Sequence, residues 1–340
     1  MNLAQLYSFL ICKSILSVNA DLRYILIGMK EDSKLKIAVL RGGSLGHAGS
    51  ISGGYGVLDS LARIGFPSFD VYIDEEGIWY AKGIVIEPHA AFAQVDGYID
   101  TTEDLPEKYQ ELAKRMGVKK LLWDHKEDYH KDRENVYRLL RQKGIAVPDT
   151  KVVRTANGMS VPYLHTVWKT LHTPYLVRPL ERKATSPSKL ISSFDDFKKT
   201  AMEHTEKGED FHVLTYRSAP TISTAVVPNY RGEDLYVPLS VTTLLGKRET
   251  PSEGSKIVIY RSHENEYSEL KGLLSRVYDA LMLEDPALID VIKTPQGFLV
   301  VEVQTKPSLR EEGRFMQSLN TTGVEIAHYL EGLLHDRARS

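Results

Sequence analysis

Residues 287–307, ALIDVIKTPQGFLVVEVQTKP, admit few structures other than a β-hairpin. An apolar run meets a Thr-Pro-Gln-Gly break at 294–297, and a second apolar run interrupted by polar residues follows. Side chains alternate along a strand, so Glu302 and Gln304 point one way and Val301 and Val303 the other. With the turn centred on Pro295 and Gln296, Asp290 falls opposite Glu302, within one residue of register. Two carboxylates and an amide oxygen then converge on one patch of a hydrophobic sheet. Hard oxygen donors gathered this way suit Mg²⁺, above all Mg²⁺ carried by nucleotide phosphates. A half-solvated hairpin with its polar face outward has the same pattern.

The chain's 340 residues allow two or three compact units. A formal net charge of −2 gives no electrostatic reason to expect nucleic acid as a partner. The single cysteine, Cys12, excludes an internal disulfide and a cysteine-based metal cluster. The apolar stretch 6–16 is too short to span a membrane, is broken by Lys13, and lacks the basic stretch of a signal peptide. A cytoplasmic chain is expected. Met29, followed by Lys-Glu-Asp-Ser-Lys, reads as the natural start, with 1–28 a loosely attached extension.

The strand pattern at 36–40 runs into a glycine loop at 41–46, and apolar residues at helical spacing occupy 50–64. Strand, glycine loop and helix open an α/β nucleotide- or substrate-binding domain, with Gly42, Gly43 and Ser44 the candidate substrate-binding residues and backbone N–H groups at the helix start available to an anion. Strands are predicted at 68–73, 78–86 and 95–99 and a helix at 105–116, and the domain ends near Trp123. Residues 124–131 are a charged linker, so His125 and His130 read as solvated. A helix at 132–143 follows, closed by Gly144 and Pro148. Strands are then predicted at 174–179, 211–216, 221–227 and 235–243, with helices at 194–206, 266–282 and 323–334. Polar loops fill 181–188 and 246–255. His47, His89 and His172 have no ligand-spaced neighbours.

Four segments resemble the D-alanine–D-alanine ligases, which are ATP-grasp enzymes. KIAVLRGGS with SISGGYGVLDSL resembles the family's opening, and DRENVYRLLRQKGIAVP its helix with a Gly-Ile-x-x-Pro exit. YLVRP resembles the nucleotide-binding strand that ends Val-Lys-Pro, and VVEVQTKPSL the metal strand Leu-Glu-Val-Asn-Thr-x-Pro-Gly. Order and spacing agree over roughly 36–334. The resemblance implies an α/β (α+β) chain with an ATP-grasp fold preceded by an α/β N-terminal domain. Its divisions are an extension 1–35, an N-terminal unit 36–123 and a grasp unit 124–336, the last split into 132–215 and 216–336. It further implies ATP between two sheets, Mg²⁺, an acyl phosphate made from D-alanine for peptidoglycan precursors, and a homodimer. Catalysis would be positioning and charge neutralisation, with no protein nucleophile.

Carried over by position, Asp290, Glu302 and Gln304 match metal ligands, Gln304 standing for the usual Asn. Arg133 and Arg178 stand where the family has phosphate-binding lysines, and Lys183, Thr185 and Ser186 fall in the phosphate loop. That loop, 182–187, has no glycine where the family reads Glu-Gly-Ser-Ser-x-Gly. The family's ribose and adenine acids fall at Thr221 and near Leu214, and its substrate-amine glutamate at Gly46 or His47. The arginine before the metal aspartate is Leu288, and the serine-leucine pair is Gly313 and Arg314. The His-Gly-x-x-Gly-Glu-Asp-Gly element has no counterpart in 99–112. Two readings follow: an active carboxylate–amine ligase, or a pseudo-ligase that binds without turnover.

Overall fold

Ile37–Gly42 forms β1, which lies between and parallel to β2 (Ser68–Ile73) and the later strand Gly97–Asp100. With neighbours on both edges and both faces covered, all of β1 is buried, as its apolar run requires. The expected strand at 78–86 is two strands, β3 (Trp79–Ala81) and β4 (Ile84–Val85). Lys82 and Gly83 between them both take positive φ, 52° and 78°, the backbone of a two-residue hairpin turn. Gly97–Asp100 is β5, and Lys119–Lys120, β6, completes a sheet of order β4-β3-β2-β1-β5-β6. After β1, Gly42 turns at φ +97°, where an added Cβ would lie 2.0 Å from the Ile73 carbonyl oxygen. The helix His47–Arg63 follows, starting three residues before the periodicity suggests.

This computed structural model describes residues 35–103, 105–123, 129, 133–157, 159–171, 173–180, 188–216, 219–244 and 256–338. The expectations for Cys12, Met29 and 1–28, for His125, His130 and His172, for Lys183, Thr185 and Ser186, and for the loop 246–255 lie outside these residues.

Four antiparallel strands make a smaller sheet: β7 (Thr150–Val153), β8 (Tyr175–Pro179), β9 (Lys189–Ile191) and β10 (Phe211–Thr215), in the order β7-β10-β8-β9. Tyr175 and Val177 pack against Leu164 and Val167 of the helix Val161–Thr170 and Phe197 and Ala201 of the helix Phe194–Glu206. The edge strands β7 and β9 were not foreseen. Runs of four and three residues are too short to carry a period.

The larger sheet contains β11 (Thr221–Tyr230), β12 (Glu233–Tyr236), β13 (Val241–Leu244), β14 (Lys256–Ile259), β15 (Ala287–Thr294) and β16 (Gly297–Gln304). Its path is β14-β13-β11-β15-β16, with β12 paired to β11. The expected strand at 235–243 is split between β12 and β13, with Pro238, which has no N–H to donate, in the gap. Leu270, Leu274 and Val277 of the helix Glu264–Ala280 cover one face together with Val136 and Leu140 of the helix Arg133–Gln142. Two closing helices, Arg314–Asn320 and Ile326–Ala338, tie the larger sheet to the first. Phe315, Leu319 and Leu330 cluster with Val57 and Leu61 of His47–Arg63 and with Ala225 and Val227 of β11.

The hairpin turns at the Thr294–Gly297 pair, and Asp290 is the direct partner of Glu302. A bulge between Asp290 and Val291 supplies the one-residue shift that brings Glu302 opposite Asp290. Val291 pairs with Val300, so Val301 is the extra residue; it is only half-buried, while Val300 and Val303 enter the core. Among the described residues no helix is long and apolar enough to cross a membrane.

A candidate ligand cleft between two sheets

Leu176 and Arg178 alternate with the buried Tyr175 and Val177 along β8, so they point from the opposite face of the small sheet. His212 and Leu214 of β10 pair with Arg178 and Leu176 and continue that face. Leu214 packs with Val300 and Val303 of the hairpin, so this face of the small sheet meets the larger one.

Glu302 stands at the junction. Arg178 donates from Nη1 to its Oε2 at 2.7 Å, and Arg133 donates from Nε to its Oε1 at 3.1 Å. Arg133 opens its helix, and Tyr137, four residues on, shares its face. The Tyr137 hydroxyl accepts from Arg178 Nη2 at 2.8 Å and donates to the Val301 carbonyl, freed by the bulge, at 2.6 Å. The side chains of Arg178, Glu302 and Arg133 are 11%, 14% and 18% exposed. Burial works against the Arg178 charge, and Tyr137 and Glu302 more than offset it, so its pKa is raised. Burial also pushes the Tyr137 phenol up, with Arg178 opposing.

The neighbouring carboxylate has its own cation. Arg314, the first residue of its helix, donates from Nη1 to Asp290 Oδ2 at 2.8 Å and to the Ser223 hydroxyl at 3.0 Å. Ser223 is the β11 partner of Asp290. Asp290 Oδ1 is buried without a hydrogen-bond partner. Burial raises the Asp290 carboxyl above the usual range, with Arg314 opposing.

His212 is fully buried with neither ring nitrogen hydrogen-bonded. Burial first, then the nearby Arg178 and Arg133, push its pKa down to about 3. A histidine neutral in the fold but protonated in the unfolded chain stabilises fully above about pH 6.5, and that contribution is lost as pH falls toward the folded value. The wild type is therefore expected to lose about 1.4 kcal/mol per pH unit below about pH 6.5 relative to His212→Leu. Urea denaturation of both proteins between pH 7 and pH 4 measures this, and parallel profiles would contradict it.

The other site expectations fall as follows. Gln304 pairs with Leu288 and lines a separate cavity of about 110 Å³ with Ser50, Thr102, Lys306 and Arg310. Lys306 is held there by Asp100 Oδ2 at 2.6 Å. The Gly42 and Gly43 N–H groups are already spent, donating to Ser50 Oγ and the Ile73 carbonyl at 2.8 and 2.9 Å. Gly43 and Ser44 line another cavity with Glu75, Glu76 and Lys108. Leu214, where an adenine-side acid was sought, is a core residue. Sequence reasoning missed Tyr137, His212 and the Asp290 contact of Arg314. The Arg133–Tyr137 spacing was a local signal for the first, whereas Arg314 lies 24 residues from Asp290 with no pattern linking them.

A magnesium site does not fit this arrangement. Mg²⁺ takes about six oxygens in near-octahedral geometry. Three of the four carboxylate oxygens of Asp290 and Glu302 already accept from guanidiniums. Among the described residues no group of three His, Cys, Asp or Glu side chains is placed to hold a metal.

Facing sheets preceded by a mixed α/β sheet match the expected ATP-grasp architecture, and solved structures agree. D-alanyl-alanine synthetase A from Vibrio cholerae superposes with a TM-score of 0.74 at 13% identity, covering 91% of this chain and 99% of that one. The VanG D-Ala:D-Ser ligase from Enterococcus faecalis gives 0.69 at 17% identity, covering 89% and 99%. The D-alanine–D-alanine ligase from Bacillus anthracis, complexed with ATP, gives 0.70 at 14% identity, covering 90% and 97%. No family model and no curated protein matches the sequence. The chain thus has the fold of the D-alanine–D-alanine ligases over nearly its whole described length, and at these identities the likeness is one of fold.

Proposed function

We propose that this chain is a pseudo-ligase: an ATP-grasp scaffold that holds a phosphate-bearing small molecule between its two sheets without joining amino acids. One observation carries the reading. Each carboxylate at the position of a family metal ligand is ion-paired to arginine, Glu302 to Arg133 and Arg178, and Asp290 to Arg314. Phosphoryl transfer in this fold rests on metal and cationic side chains neutralising phosphate charge together. With its carboxylates committed to guanidiniums, the cleft retains the means to hold phosphate and lacks a seat for the metal. We take 36–123 as the N-terminal unit and 124–336 as the grasp unit.

A second reading, an active ATP-dependent carboxylate–amine ligase, draws on the retained Asp290–Glu302 pairing and the bare Oδ1 of Asp290. Phosphate release from ATP with Mg²⁺, with and without D-alanine and across a panel of amino acids, separates the two. The pseudo-ligase reading expects no amino-acid-dependent release. Release that rises with D-alanine would establish the ligase instead.

A further inference from the structure

Guanidiniums hold both carboxylates of the cleft. Among the described residues, Arg133 and Arg178 hold Glu302 and Arg314 holds Asp290, in two neighbouring bonded groups. A divalent cation added there would meet three guanidiniums in a poorly solvated site, where like charges repel strongly. An added anion is attracted by the same guanidiniums. Arg178 has a further donor in place, because its Nε is buried with no hydrogen-bond partner.

We propose that the cleft binds a polyphosphate-bearing anion free of divalent metal, with Glu302 acting as an internal competitor that the ligand's phosphate displaces from Arg133 and Arg178. The inference rests on reading the cleft as a phosphate-binding site without turnover. Its logic is exchange of like for like. A phosphate offers the same pair of oxygens that a carboxylate presents to the guanidinium fork, and it carries more charge. In the free protein Glu302 occupies both arginines and keeps them ordered across the two sheets. A ligand phosphate that replaces it retains the bridge between the sheets and leaves the Glu302 carboxylate to turn toward solvent. Mg²⁺ bound to the ligand works against this exchange, since it masks the charge the arginines read and has no oxygen seat of its own.

The two accounts of the site therefore predict opposite signs. In a metal site, Mg²⁺ strengthens nucleotide binding and loss of the Glu302 charge weakens it. In the arginine site, Mg²⁺ weakens binding and loss of that charge strengthens it. The test is isothermal titration of the full chain with ATP and with inorganic triphosphate, each in EDTA and in excess Mg²⁺, repeated on Glu302→Gln and on Arg178→Gln. We expect binding in EDTA, weakening of at least about threefold in Mg²⁺, and about tenfold tightening in Glu302→Gln, the value of one charge-assisted contact. Arg178→Gln is expected to lose the binding.

Triphosphate binding as well as ATP would assign recognition to the phosphates alone; ATP binding without triphosphate would add the nucleoside to the recognised class and still support the proposal. A requirement for Mg²⁺, weaker binding by Glu302→Gln, or no binding of either probe would overturn it. Should Glu302→Gln fail to fold, the sign of the Mg²⁺ effect on the wild type decides. D-alanine-dependent turnover would end the pseudo-ligase reading without changing that sign, so the two failures are distinguishable.

Discussion

Arg178→Leu is expected to lower the unfolding free energy by about 3–5 kcal/mol, the cost of removing one partner from a buried ion pair. Arg178 spans the two sheets, so its loss strands several groups together. Glu302 keeps Arg133 but loses its shorter contact, at 2.7 Å, and the Tyr137 hydroxyl loses the donor at 2.8 Å. The desolvation already imposed on Glu302 then stands partly uncompensated in a site where its side chain is 14% exposed. The double variant Arg178→Leu with Glu302→Leu removes both charges and is expected to recover much of the loss. Coupling of this kind, read from urea denaturation of the two single variants and the double, distinguishes a paired network from two independent packing defects.

Arg314→Leu tests the second carboxylate and carries a pH signature. Asp290 has a side-chain exposure of 5%, and Arg314 is its ion-pair partner, itself 26% exposed. Removing the arginine is expected to cost about 3 kcal/mol at neutral pH, at the low end of the buried-pair range because Arg314 is partly solvated. Burial already raises the Asp290 carboxyl, and without the opposing guanidinium it rises further. A carboxyl whose folded pKa exceeds its unfolded value binds protons preferentially in the fold. Its contribution therefore falls as pH climbs from about 4 through the folded value. The deficit of Arg314→Leu relative to wild type should accordingly be smallest near pH 4 and grow toward neutrality. A deficit independent of pH would mean that Arg314 acts through packing alone.

Legibility in the sequence followed the range of the interaction. The hairpin was readable because strand period and turn chemistry are local, and counting outward from Pro295 and Gln296 brings Asp290 to within one residue of Glu302. Counting could not foresee the bulge at Val301, which adds one residue to one strand and presents that residue's carbonyl to Tyr137. Arg133 and Arg178 were singled out as phosphate-binding positions, and both side chains do meet at the cleft. Their mutual target, Glu302, lies 169 and 124 residues away, a relation only the tertiary fold creates. The same holds for Arg314. It drew attention only as a departure from the family's serine-leucine pair, and nothing local ties it to Asp290. Short elements such as β7 and β9 escaped because propensity sums weakly over so few residues, and packing decides them.

The central claim is that guanidiniums, and not a divalent cation, neutralise Asp290 and Glu302. Titrating the full-length protein with Mn²⁺ in the presence of ATP, and following the electron paramagnetic resonance signal of the ion, addresses this most directly. The arginine network predicts that no Mn²⁺ becomes immobilised on the protein, in the wild type or in Glu302→Gln. Stoichiometric immobilisation of Mn²⁺ that disappears in Glu302→Gln would contradict it.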